Sequence, residues 1–219
     1  MFTGIIQSVG RVLRLEPRGG DVRLTIETGK LSLDAVVLGD SIAVNGVCLT
    51  AVELNPQGFA ADVSRETLSL TTLGALVPGG RVNLEKALTL STPLGGHLVS
   101  GHVDGMGTLL ERHEDARSWR LRIQAPDDLA RYIAHKGSIC VDGTSLTVNR
   151  IDGAVFELNI VPHTVQETII GDYRPGVRVN LEVDLIARYL ERLLLGERAA
   201  DPKASGLTLD FLAEHGFAR

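Results

Sequence analysis

One half of this chain repeats the other. The stretch DSIAVNGVCLT at 40–50 returns as GSICVDGTSLT at 137–147, and GGRVNLEKAL at 79–88 returns as GVRVNLEVDL at 176–185. Each pair is separated by 97 residues, and the same offset, carried without a gap, aligns Gly4 with Gly101, Gly10 with Gly107, Arg23 with Arg120, Phe59 with Phe156, Thr67 with Thr164 and Pro78 with Pro175. Chance similarity does not hold register over such a span, and solenoid units are far shorter, ~20–50 residues. The chain is therefore read as a tandem duplication, with one domain over 1–97, a second over 98–184 and a further segment over 185–219. The junction falls at Gly95, Gly96 and His97.

Periodicity shows what each copy is made of. VRLTI at 22–26 and WRLRI at 119–123 alternate apolar with polar residues, as half-buried strands do. FAADV at 59–63, VFELNIV at 155–161, RVNLE at 81–85 and RVNLEV at 178–183 repeat the pattern, giving about six short strands per copy. Short helical pieces are expected around Lys30–Leu38 and Arg65–Leu73, with counterparts at Asp127–His135 and Pro162–Ile170. Strands so closely spaced, in units of under about a hundred residues, predict small closed barrels, because closure removes the edges of an open sheet. After the duplication the period changes: Leu185, Ile186, Tyr189, Leu190, Leu193 and Leu194 share one helical face, opposite Arg188, Glu191 and Arg192. Such a helix either packs on its own barrels or contacts another copy, and the sequence does not choose. Asp201, Pro202 and Lys203 then interrupt the chain before a second short helix expected at 207–217.

Composition narrows the function. With 44% hydrophobic and 22% charged residues, the chain has the content of a folded globular protein rather than a disordered one. A net charge of −5 and only 4% aromatic residues disfavour a nucleic-acid partner. Two cysteines, Cys48 and Cys140, make no disulfide framework and no metal-ligand spacing, which suits a reducing compartment. The leading MFTGIIQSVG lacks the features of a signal peptide, and no apolar run approaches the ~18 residues of a membrane span. A cytoplasmic protein without membrane contact is the expectation.

Two copies of one binding module suggest two similar ligands, so the informative positions are those where the copies differ. Ile5 faces His102, Gly39 faces Lys136, Cys48 faces Ser145 and Ala87 faces Asp184. The second copy always holds the stronger acid, base, charge or hydroxyl, which implies a binding half and a reacting half. Each residue also has a plainer reading. A lone His102 is more often structural than catalytic. Cys48, between Val47 and Leu49, resembles a small buried hydrophobe. Lys136 beside Gly137 reads as a solvated charge, and Asp184 as a helix N-cap. Ser145 and Thr147 alternate along a strand, so they share a face that either lines a barrel mouth or satisfies local backbone. GHVDGMG at 101–107 has no strand-turn-helix context for a dinucleotide.

With the duplication, MFTGI at 1–5, NGVCLT at 45–50, GGHLVSGHVDG at 95–105, DGTSLTV at 142–148 and RVNLE in both copies, the chain closely resembles the riboflavin synthase alpha chain family over residues 1 to about 190. The resemblance implies an all-β fold of tandem duplicated Greek-key β-barrels with short helices, and a C-terminal amphipathic helix that mediates a homotrimer. It implies a transferase without cofactor or metal, in which two molecules of 6,7-dimethyl-8-ribityllumazine exchange a four-carbon unit to give riboflavin and 5-amino-6-(ribitylamino)uracil. Lumazine synthase is an associated partner it suggests. The reacting pair is expected where the N-terminal barrel of one subunit faces the C-terminal barrel of another. The alternative is a non-catalytic lumazine or flavin carrier of the same fold.

Carried onto this sequence, the resemblance assigns ligand contacts in the first barrel to Gly4, Ile5 and Ile6, to Cys48, Leu49 and Thr50, and to Asp62, Val63, Ser64, Arg65, Glu66 and Thr67. In the second it assigns Gly101, His102 and Val103, Lys136, Ser145, Leu146 and Thr147, and Val161, Pro162, His163, Thr164, Val165 and Gln166. For chemistry it points to His102, Ser145, Thr147 and Asp184, with Ser41, Cys48 and Phe2 from the N-terminal side. The family often has cysteine where this chain has Val47, a departure of small consequence with Cys48 next to it. The expected division of labour gives the base to the C-terminal barrel, as His102, to take a proton from the 7-methyl group of one lumazine.

Overall fold

The computed structural model describes residues 1–200. The first copy forms β1 (Ser8–Arg18), β2 (Asp21–Glu27), β3 (Ser41–Val44), β4 (Val47–Asn55), β5 (Gly58–Val63) and β6 (Arg81–Lys86). The second forms β7 (Gly105–Asp115), β8 (Ser118–Gln124), β9 (Ser138–Val141), β10 (Thr144–Asp152), β11 (Val155–Ile160) and β12 (Arg178–Val183). Each set closes into a six-stranded antiparallel barrel of the same order, β1-β2-β5-β4-β3-β6 and β7-β8-β11-β10-β9-β12. The Greek-key duplication read from the sequence is present.

Alternation along the strands builds the interiors. In β2, Leu24 and Ile26 are buried while Arg23 and Thr25 lie between core and surface; in β8, Leu121 and Ile123 do the same. Phe59 and Phe156 are fully buried at matching positions, and truncating either to Ala should cost about 3–5 kcal/mol. The register shifts also repeat: between Val12 and Arg14 as between Leu109 and Glu111, and between Ala51 and Glu53 as between Val148 and Arg150. An extra residue at each shift bends the strand sharply, as a six-stranded sheet needs in order to close.

Helices are few. Ser64 caps α1 (Arg65–Leu70) by accepting from the Thr67 amide at 3.1 Å, and a 3-10 turn follows over Thr72–Ala75. The second copy matches with α2 (Pro162–Glu167) and a turn over Ile169–Asp172. Asp127–Tyr132 is a 3-10 helix, but its expected counterpart at Lys30–Leu38 is irregular. The reason is local: Ser32 Oγ takes the Asp34 amide at 3.2 Å and Asp40 takes the Val37 amide at 3.0 Å. These short polar side chains satisfy the backbone without a helix, and β-branched Val36 and Val37 favour one less.

The two barrels meet through their β3–β4 and β9–β10 hairpins. Both turns hold two successive residues at positive φ, Asn45-Gly46 and Asp142-Gly143, as two-residue hairpins of this type require. Asn83 Nδ2 donates to the Asp142 carbonyl and Asn180 Nδ2 to the Asn45 carbonyl, both at 2.8 Å. In return, Asn83 Oδ1 accepts from the Ile169 amide and Asn180 Oδ1 from the Thr72 amide, again at 2.8 Å. The asparagine of RVNLE thus pins each copy to the other. Leu185–Leu194 form α3, a unit of its own beyond Asp184. Among the described residues no helix is long and apolar enough to cross a membrane. The expected chain break at Asp201–Lys203 and helix at 207–217 lie outside the described residues.

Candidate active site

β4 and β10 present their hydroxyl and thiol groups outward. Val47 and Leu49 point into the first barrel's core, so alternation turns half-buried Cys48 and exposed Thr50 toward the outside. In β10, Thr144 and Val148 are buried, Ser145 is half-buried and Thr147 exposed. Leu49 and Val63 have buried side chains, so only their backbone can face a ligand.

The segment before each barrel crosses to the other. Phe2 and Val99 pair reciprocally, at 2.7 and 3.1 Å, and both are buried. Beyond this bridge, the Ser145 amide donates to the Gly4 carbonyl at 2.7 Å and the Cys48 amide to the Gly101 carbonyl at 2.8 Å. The approach is so close that a Cβ on Gly4 would stand 2.6 Å from Ser145 Cβ, and one on Gly101 2.7 Å from Cys48 Cβ. Both glycines also have positive φ, of 74° and 83°, so no other residue fits there without strain. Gly4–Ile6 therefore belong to the second barrel's mouth and Gly101–Val103 to the first's. This corrects the expected grouping, which kept each segment with its own copy.

Buried glutamates hold the crossing segments. Glu85 accepts the Thr3 amide at 2.7 Å, the Thr3 hydroxyl at 2.6 Å and the Gly4 amide at 3.0 Å. Glu182 accepts the Ser100 amide at 2.6 Å, the Ser100 hydroxyl at 2.8 Å and the Gly101 amide at 2.9 Å. Burial raises the pKa of both carboxyls, and these donors pull it back down.

Cys48, Glu66, Thr67, Leu70, Thr71, Gly101, His102 and Val103, with Val47, enclose a cavity of about 200 Å³ at the first barrel. His102 is exposed at its rim. The imidazole assigned to the C-terminal half by sequence thus serves the first barrel's pocket. At the second barrel a different imidazole appears: His97 Nδ1 lies 2.7 Å from Ser145 Oγ. Its amide donates to the Thr3 carbonyl at 3.1 Å. Burial holds the His97 pKa below the ordinary histidine value, while the charge of Asp184 acts to raise it. A neutral ring whose Nδ1 accepts from Ser145 carries its proton on Nε2, which is buried and has no protein partner among the described residues. Each mouth therefore combines one imidazole with one thiol or hydroxyl, a pairing suited to proton transfer and to activating a nucleophile.

The remaining candidates scatter around these mouths. Ser41 pairs with Thr50 across β3 and β4, and Phe2 lies beneath Gly101. Exposed Lys136 has φ 63° where its counterpart Gly39 has 95°; both amides close the same turn, onto Val148 and Ala51. A lysine in the left-handed region is strained, and the turn that imposes it fixes where the side chain leaves the backbone. Asp62 is gripped by Arg23 through Nε and Nη2 at 2.7 and 2.8 Å, which lowers its pKa and leaves its charge engaged within its own barrel. Ser64–Thr67 and Val161–Gln166 are the starts of α1 and α2 with the residues that lead into them. Sequence reasoning missed His97, Glu85 and Glu182. The glutamates sit in RVNLE, where their recurrence was a signal; His97 has no counterpart in the other copy, and its one signal was its place in GGHLVSGHVDG. Among the described residues no cluster of His, Cys, Asp and Glu could hold a metal.

Comparison with known proteins places this geometry. The lumazine binding domain family matches twice, over residues 3–87 and 100–184. Riboflavin synthase of Photobacterium phosphoreum is 46% identical over 217 residues, 99% of each chain. That of Mycobacterium tuberculosis is 48% identical over 198 residues, covering 89% of this chain and 98% of its own. That of Bacillus subtilis is 39% identical over 218 residues, 99% of this chain and 100% of its own. Among solved structures, LumP complexed with 6,7-dimethyl-8-(1′-D-ribityl)lumazine superposes with a TM-score of 0.75 at 26% identity, and LumP complexed with riboflavin with 0.78 at 27%; each covers 84% of this chain and 99% of that chain.

Proposed function

From a chain that belongs to the riboflavin synthase family, we propose an enzyme that converts two molecules of 6,7-dimethyl-8-ribityllumazine into riboflavin and 5-amino-6-(ribitylamino)uracil. A four-carbon unit passes from one lumazine to the other. The atoms of the two substrates equal those of the two products, so the reaction consumes no oxidant and no reductant. The donor lumazine loses a proton from its 7-methyl group and becomes a carbon nucleophile; the acceptor is attacked at its electrophilic face.

The observation that carries this reading is the presence of two copy-related mouths with unlike chemistry, Cys48 with His102 and Ser145 with His97. Two bound lumazines need such a pair, one surface to remove a proton and one to activate the acceptor. His102, at an exposed rim, exchanges protons with ligand and solvent. Ser145, hydrogen bonded to a neutral His97, presents a polarised hydroxyl that adds to a ring carbon or directs a water to it. Thr50 and Thr147, exposed beside them, and Lys136 suit the ribityl hydroxyls. Holding two large rings face to face contributes further, because good orientation supplies up to about 7–11 kcal/mol.

The LumP structures support lumazine and flavin binding without speaking for turnover, whereas the full-length relatives are synthases. The α3 apolar stripe of Ile186, Tyr189, Leu190 and Leu193 supports a homotrimer in which first and second mouths of different subunits face each other. A cytoplasmic enzyme working beside lumazine synthase completes the proposal. Purified protein mixed with the lumazine alone tests it: flavin absorbance should rise without nucleotide, metal or oxygen, one flavin for every two lumazines consumed. Binding without turnover would assign the chain to the carriers instead.

A further inference from the structure

Both walls of the first barrel's pocket hang on one strand of the other barrel. One wall is α1 and Thr71, whose continuation is held where the Thr72 amide meets Asn180 Oδ1 at 2.8 Å. The other is Gly101–Val103, fixed where Glu182 takes the amides of Ser100 and Gly101 at 2.6 and 2.9 Å. Asn180 and Glu182 are two residues apart on β12, hence on one face of it. The arrangement recurs at the second mouth. Asn83 Oδ1 holds the Ile169 amide behind α2, and Glu85 holds Thr3 and Gly4 against Ser145; both acceptors lie on β6.

We propose that Asn180 and Glu182 are positioning residues for the first barrel's site, and Asn83 and Glu85 for the second barrel's. Each barrel's last strand aligns the reactive groups of the other. A disturbance of β12 therefore acts on Cys48 and His102, which lie outside its own barrel's mouth, and one of β6 acts on Ser145 and His97. All four side chains are buried and act through the segments they hold: Glu182 and Glu85 through Gly101 and Gly4, the glycines packed on Cys48 and Ser145, and Asn180 and Asn83 through Thr72 and Ile169 behind α1 and α2.

Cys48 reports on this directly, because its amide is bonded to Gly101 and Cys140 is fully buried. Glu182→Gln replaces one accepting carboxylate oxygen by an amide that cannot accept. It should speed Cys48 labelling by a small aromatic disulfide about tenfold or more, the scale of one lost charged hydrogen bond. Glu85→Gln, which removes the same kind of bond at the other mouth, should leave the Cys48 rate within about twofold of the parent while lowering kcat. A merely structural role predicts equal acceleration in both variants, and that result, or acceleration in neither, overturns the proposal. Cys140 labelling marks loss of the fold; Ser100→Ala then replaces Glu182→Gln, removing the hydroxyl's bond to Glu182 and its acceptance of the His102 amide, both in the segment that lines the first mouth, with the same direction expected for Cys48. The kcat arm rests on the function proposed above. The labelling arm does not, so an inactive parent would sink that function and leave this test standing.

Discussion

His97 Nδ1 and Ser145 Oγ stand 2.7 Å apart, joining the junction between the two copies to the strand that carries the second copy's hydroxyl. A pair acting as a unit is non-additive: His97→Gln and Ser145→Ala should each lower kcat by about 10² or more, and the double variant little further. Because burial holds the His97 pKa below the ordinary value, the acid limb of kcat/KM attributable to it should lie below pH 6.5 and disappear in His97→Gln. Additive losses in the double variant would show that the two residues act separately.

His102 and Cys48 share the first barrel's pocket, and their variants separate two mechanisms. His102→Gln should reduce kcat by roughly 10² to 10⁴ with lumazine affinity nearly intact, the usual contribution of a general acid or base. Cys48→Ser should cost less, since Ser145 shows that a hydroxyl fits this frame. The reverse order in steady-state kinetics, with folding checked by circular dichroism, would favour covalent catalysis by the thiol.

Asp142 predicts a pH effect on stability. Burial raises its pKa from 3.8 to about 7, against the Tyr173 hydroxyl on Oδ2 and the Asn180 amide on Oδ1, which pull it down; the Cys140 thiol and the Tyr173 hydroxyl lie near enough to feel its charge. A carboxyl whose folded pKa exceeds its unfolded one contributes stability that is complete below about pH 4 and lost as pH rises through about 7, at no more than about 1.4 kcal/mol per pH unit. Asp142→Asn should abolish that slope while keeping the bond to the Asn180 amide, as Asn45 does with the Asn83 amide at 2.7 Å. Urea midpoints of parent and variant between pH 4 and 8 should therefore converge at low pH only if the carboxylic acid is the stabilising form; a parent that gains stability with pH relative to the variant contradicts the assignment.

The α3 stripe predicts assembly. Ending the chain after Asp184 should give species smaller than a trimer by light scattering, with lumazine still bound by each barrel and turnover largely lost. A truncated monomer of full activity would place the reacting pair within one chain.

Much of the fold was written locally. Alternation along VRLTI or RVNLE depends on neighbours two residues apart, so strands and barrels follow from the sequence, while Lys30–Leu38 departs from the expected helix because the Ser32 and Asp40 side chains bond nearby backbone amides there. The candidate site was legible only as residue types. His97 meets Ser145 across 48 positions and Glu182 meets Gly101 across 81, contacts that no periodicity encodes.

The sequence by itself determined that there are two equivalent barrels and which groups recur in both: the glycine, the thiol or hydroxyl, the asparagine and the glutamate. Only the tertiary structure decided between which copies their bonds run. A duplicated chain offers Gly4 the same kind of hydrogen-bond partner at Cys48 and at Ser145, and either pairing satisfies the same backbone groups. The choice is made where Phe2 and Val99 bury against each other and cross the two segments, so that each barrel's mouth is closed by the other's leading residues.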